Sequence, residues 1–166
     1  YTMRNILRDG GAQDIAALQQ LNYTTGSGGY TNSTTPSIWP SKGVITSPYG
    51  TRVDPVTGAA SAFHEGVDIA DDYGTPIVAT AAGTVTFAGY TEGGYGNLVE
   101  IDHGNGFVTR YGHNSAVLVT PGMTVKQGQV IALMGSTGKS TGAHVHYEVR
   151  INGSAVDPMV FLPISN

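Results

Sequence analysis

The sequence predicts an all-β fold, a sandwich or barrel of mainly antiparallel strands, preceded by a short helical N-terminal segment. Three observations predict it. Glycine is abundant, 24 of 166 residues, while charged residues make up only 12%, a balance that suits short strands joined by tight turns better than amphipathic helices. Apolar and β-branched runs of four or five residues recur, each bounded by Gly, Pro or Asp. Turn signals follow one another about every 8–12 residues, the spacing of sandwiches and barrels.

The strands read in order from Trp39 onward. Gly43–Thr46, Pro76–Thr80, Thr84–Ala88 and Leu98–Ile101 are strand-like runs. Phe107–Tyr111 follows Ile101 across His103-Gly104-Asn105-Gly106, which predicts a hairpin. Val145–Ile151 runs into Asn152-Gly153, the strongest two-residue hairpin signal, because both positions of a type I′ turn need positive φ. Upstream, Met3, Ile6 and Leu7, then Ile15, Leu18 and Leu21, recur at helical spacing around Gly10-Gly11, which predicts two short helices over 1–22. Residues 23–37 are rich in Gly, Ser and Thr, the composition of a linker or surface arm. The expected organisation is therefore 1–37 as appendage and 38–166 as the folded unit.

Composition removes several functional classes. With a net charge of −4, the chain lacks the basic surface that nucleic-acid binding requires. It has no cysteine, so disulfide frameworks and thiolate metal sites are excluded. No apolar run is long enough to span a bilayer. The chain begins at Tyr1 with no signal-peptide pattern, which reads as a processed or trimmed form; an export signal or membrane anchor would lie upstream. Ser136–Thr141 is rich in small polar residues but lacks phosphate-loop spacing.

The five histidines are His64, His103, His113, His144 and His146. In a strand, His144 and His146 share a face about 6.6 Å apart and can converge on one small volume. His64 and Asp68, four residues apart, would lie about 13 Å apart in a straight strand, too far to share a metal. Gly66 between them permits a bend or bulge that closes the gap. Two histidines and a carboxylate form a common catalytic zinc set that leaves a position open for water. Spacing leaves open which of His144 and His146 is the ligand, and it does not place His113.

The sequence resembles the lysostaphin-like (LytM-type) peptidoglycan endopeptidases from about Trp39 to Leu162. The stretches that carry the resemblance are Ser47-Pro48-Tyr49-Gly50-Thr51-Arg52, Phe63-His64-Glu65-Gly66-Val67-Asp68-Ile69-Ala70, Gly74–Ala79, Gly83–Val85, Tyr111-Gly112-His113, Val125–Gln129, Gly135–His146 and Asp157-Pro158-Met159, in family order. The resemblance implies an active-site groove over a sheet. It implies that His64, Asp68 and His146 hold one zinc ion per chain. It implies that His144 and His113 activate water and stabilise the tetrahedral intermediate. His103 matches a hairpin position that the family does not use in catalysis.

The function so implied is hydrolysis of stem peptides or cross-links of bacterial peptidoglycan, outside the cytoplasm. The alternative is a non-catalytic module of the same fold that activates another wall hydrolase. Relatives of that kind lose metal ligands, whereas every motif position here is filled.

Overall fold

The computed structural model describes residues 30–52, 56–57 and 62–164. The helices expected over 1–22 and most of the linker lie outside these residues. Thirteen strands are described: β1 (Val44–Ser47), β2 (Gly50–Arg52), β3 (Ala62–His64), β4 (Val67–Ala70), β5 (Pro76–Val78), β6 (Gly83–Thr91), β7 (Gly96–Gly104), β8 (Phe107–Asn114), β9 (Ala116–Val117), β10 (Thr124–Val125), β11 (Val130–Leu133), β12 (His144–Ile151) and β13 (Ser154–Val156). The pairings are antiparallel, as the sequence predicts.

The main sheet runs β1-β4-β12-β8-β7-β6-β10, with β13 paired to β12. A three-stranded sheet, β5-β11-β9, the β2–β3 hairpin and a 3-10 turn at Pro158–Phe161 accompany it among the described residues. Two hairpins close where Asn-Gly predicts them. Asn105 and Gly106 have φ of 54° and 83°, and Asn152 and Gly153 have 51° and 88°, the left-handed values that a type I′ turn needs.

Alternation divides the main sheet into two faces. Val67, Ile69, Val99, Ile101, Tyr111, Val145, Tyr147 and Val149 are fully buried and join Ile77, Ile131 and Ala132 of the smaller sheet in one core. The opposite face of β4 and β12 carries Asp68, His144, His146 and Glu148. One face therefore supplies the apolar burial that holds the fold, and the other is free to carry chemistry.

Residues 30–37, which the sequence places in the linker, run along the core. Thr31 bridges Gln127, and the Ala82 amide donates to the Ser33 carbonyl. The Gln127 side chain donates to Ser37 Oγ and the Thr80 carbonyl at 2.8 and 3.0 Å. The expected boundary at 37 thus falls at the end of a segment that is hydrogen-bonded to the folded unit.

His103 belongs to a buried polar chain inside the fold. Its Nδ1–H donates to the Ala82 carbonyl (2.8 Å), leaving Nε2 to accept from Thr109 Oγ1 (2.7 Å). Thr109 continues to the Tyr111 hydroxyl, and Tyr111 to Thr80. Burial lowers the His103 pKa below 6.5, because a charged ring would lose its hydration. His103→Gln is expected to cost about 1–3 kcal/mol at pH 7.5 by leaving buried partners unmatched. The deficit should shrink as pH falls below about 6.5, where the unfolded ring takes up a proton that the folded ring refuses. Denaturant melts of both proteins at pH 7.5 and 5 check this; a deficit that grows on acidification would contradict it.

Candidate metal centre

The backbone between His64 and Asp68 does what the spacing requires. β3 ends at His64, Glu65-Gly66 break the strand, and β4 begins at Val67. His64 stays in the β2–β3 hairpin opposite Gly50, while Asp68 enters the main sheet opposite His146. Gly66 is needed at the break, since a Cβ there would collide with the Tyr147 carbonyl of β12. The chain crosses from one sheet to another within two residues, and His64 turns back over Asp68.

Three ligand atoms meet at this point. His64 Nε2 lies 3.1 Å from His146 Nδ1 and 3.2 Å from Asp68 Oδ1, and His146 Nδ1 lies 3.1 Å from Asp68 Oδ1. A tetrahedral zinc with bonds of about 2.0–2.1 Å sets its ligand atoms about 3.3 Å apart, close to this triangle. All three residues are at least nine-tenths buried.

The far side of each ring fixes what it offers. His64 Nδ1 lies 2.9 Å from the Pro48 carbonyl, which can only accept, so Nδ1 carries the proton and Nε2 presents a lone pair. His146 Nε2 donates at 2.7 Å to Glu148 Oε2, which directs Nδ1 to the centre. Burial alone would lower the His146 pKa, but Asp68 and Glu148 outweigh it and raise it to about 9. Burial likewise works against ionisation of Asp68, yet His146 and His64 hold its carboxyl well below the usual range. Three acceptors thus surround a space suited to one proton or one metal cation, and the donor set fits zinc.

His144 lies one β-pleat along from His146. Its Nε2 is 3.6 Å from Asp68 Oδ1, and its Nδ1 donates to the Gly142 carbonyl at 2.8 Å. Among the described residues, the cluster with metal-binding spacing comprises His64, Asp68 and His146, all of whose ligand atoms lie within 4.8 Å of one another. His144 stands beside it.

His113 reaches the same face by an irregularity. Regular alternation would place it on the core side with Tyr111. Between the pairs Val99–Tyr111 and Asn97–Asn114, β8 carries one more residue than β7, and His113 has φ of 65°. This bulge re-aims the ring. The His113 ring lies 4.6 Å from that of His144, centroid to centroid. Its Nδ1 donates to the Thr137 carbonyl at 2.6 Å, leaving Nε2 as acceptor. Burial, and then the charge that His144 would carry, lower its pKa to about 4.

These residues floor an open groove of about 580 Å³, walled by Thr46, Ser47 and Phe63 on one side and by Gly94, Tyr95 and Ser140 on the other. All five residues named from the sequence line it. Glu148 was not among them; its signal was the continued alternation of His144 and His146 to the next residue on that face. The Arg52 side chain lies outside what the structure describes.

A β-fold with a His-Asp-His cluster at the floor of an open groove defines a metallopeptidase-like protein. The chain belongs to peptidase family M23, whose model matches residues 62–158. It is 49% identical over 120 residues to the DD-carboxypeptidase/endopeptidase Mpg of Neisseria meningitidis, covering 72% of this chain and 27% of that protein. It is 40% identical over 125 residues to the murein hydrolase activator NlpD of Escherichia coli, covering 75% and 31%. Among solved structures it resembles a zinc-containing peptidase from Vibrio cholerae (TM-score 0.69, 37% identity, 76% of this chain and 40% of that one). It also resembles the catalytic domain of lysostaphin from Staphylococcus simulans (TM-score 0.65, 34% identity, 71% and 90%). The chain spans between a quarter and a third of the length of these two curated relatives.

Proposed function

We propose that this chain is a zinc metalloendopeptidase that hydrolyses stem peptides or cross-links of bacterial peptidoglycan, outside the cytoplasm. The observation that carries this reading is the joint presence of a ligand triangle and an adjacent histidine pair on one groove floor. The catalytic unit is taken as residues 38–166, which contains the matched segment. Names of relatives support the substrate class, since Mpg is named a DD-carboxypeptidase/endopeptidase and NlpD a murein hydrolase activator.

His64, Asp68 and His146 would hold one zinc ion, which when bound polarises the scissile carbonyl and acidifies water to a pKa of about 7. The remaining work falls to the pair His113 and His144. Each donates Nδ1–H to a backbone carbonyl, so each ring is held in place with Nε2 able to accept a proton. A His113 pKa near 4 keeps that ring neutral at pH 7, with Nε2 unprotonated. A proton taken from the attacking water opposes the negative charge that develops on the substrate carbonyl oxygen. The same proton can then pass to the leaving amine, completing amide hydrolysis. The open groove supports an extended peptide as substrate.

The second reading, an activator of another wall hydrolase, is favoured by the likeness to NlpD. Purified protein, with and without added zinc, incubated with walls of several peptide types tests both. New amino termini identified by mass spectrometry, dependent on zinc, support the peptidase. A zinc content near zero that added metal cannot restore, with no new termini on any wall type, would sink it in favour of the activator.

A further inference from the structure

Glu148 is 1% exposed and lies on the face of β12 that carries His144 and His146. A carboxylate buried this deeply requires compensation, and Glu148 receives it from three donors. His146 Nε2 and the Tyr95 hydroxyl reach Oε2 at 2.7 and 2.6 Å, and Arg150 Nε reaches Oε1 at 2.8 Å. The arginines around it are held in turn. Arg150 donates to Glu65 at 2.8 Å, and Arg110, 3.8 Å from Glu148, donates to Glu100 at 2.7 Å. Glu148, Arg110 and Glu100 face one another across β12, β8 and β7, forming a charged rung below the one on which Asp68 faces His146.

We propose that Glu148, braced by Arg150 and Tyr95, is a positioning residue that fixes the tautomer and orientation of His146 and tightens the site's hold on a divalent cation. The proposal rests on the reading of His64, Asp68 and His146 as the metal site. Glu148 is not itself a ligand. It bonds Nε2, whereas Asp68 and His64 meet Nδ1, so the His146 ring separates Glu148 from the centre. Holding the proton on Nε2 leaves the Nδ1 lone pair for the cation, and the negative partner raises the donor strength of that nitrogen. The brace also explains the ion pairs. Without Arg150 and Tyr95 the carboxylate could swing away from the ring or take up a proton, and either change would free His146 to turn.

Zinc affinity, measured by competition with a chelating dye on the full chain, tests this apart from activity. Glu148→Gln keeps the size and removes the charge, and is expected to weaken zinc binding about 10–100-fold. Tyr95→Phe, which removes one brace and leaves the carboxylate, should weaken it less. A purely structural role would instead lower thermal stability without changing the zinc affinity of the folded protein, and that result would overturn the proposal. If Glu148→Gln does not fold, the wild-type protein still decides. In ¹⁵N-histidine NMR of the zinc-loaded chain, His146 should carry its proton on Nε2, and a proton on Nδ1 would overturn the proposal. Wild-type protein that binds no zinc would overturn the metal-site reading and this proposal with it. Wild-type binding with unchanged affinity in Glu148→Gln would overturn this proposal alone.

Discussion

His146→Ala is expected to lose both bound zinc and wall hydrolysis, and Asp68→Asn to do the same. His146→Ala removes one of three converging ligand atoms outright. Asp68→Asn nearly preserves the shape and removes only the negative charge that the two histidine contacts stabilise. An amide is a poor substitute beside two neutral nitrogens, because neutralising part of the cation's charge is what the carboxylate contributes. Losing the metal removes carbonyl polarisation and water acidification together. The fall in rate should therefore exceed the roughly 10⁴ that a single acid-base group can supply. Metal content and hydrolysis measured on the same preparations check this. Full zinc occupancy in His146→Ala would show that the ligand set is misassigned.

His144→Ala and His113→Ala are expected to behave differently, keeping zinc near one per chain while hydrolysis falls by about 10²–10⁴. Neither residue belongs to the cluster with metal-binding spacing. The Nδ1 of each is engaged by a backbone carbonyl on the side away from the substrate space. His113→Ala should fold, because alanine in the left-handed conformation at φ 65° meets strain similar to that already borne by histidine. The informative outcome is the contrast between neighbours. If His144→Ala loses metal while His146→Ala retains it, the two roles are exchanged.

Part of the site was legible because period-two alternation is local. His144 and His146 share a face in any strand, and they share one here. The two Asn-Gly turns were legible for a similar reason: positive φ at both positions is a demand that few residue pairs meet. The break at Glu65-Gly66 was visible as a requirement, since His64 and Asp68 could not otherwise meet. Its outcome, a passage from the β2–β3 hairpin into the main sheet, depended on β12 being there to receive β4.

His113 marks where the local rule stops. Alternation from Tyr111 would send it into the core, and only the pairing of β8 with β7 creates the extra residue that turns it outward. Glu148 was visible as a strand residue without a role, because its partners Tyr95 and Arg110 are 53 and 38 positions away in the chain. Residues 30–37 read as a linker by composition, yet Gln127 and Thr80 give their polar groups partners.

By itself the sequence determined the strand texture, the tight turns, the family motifs and the face that His144 and His146 share, because each is written in residue type and short spacing. Which ring nitrogen faces the centre, which histidine of the pair stands beside Asp68 and what holds Glu148 were decided by tertiary structure. Those choices are made by hydrogen bonds to Pro48, Thr137, Gly142 and Tyr95. A ring nitrogen becomes a donor or a ligand only once a partner occupies its other side, and that partner is brought there by the fold.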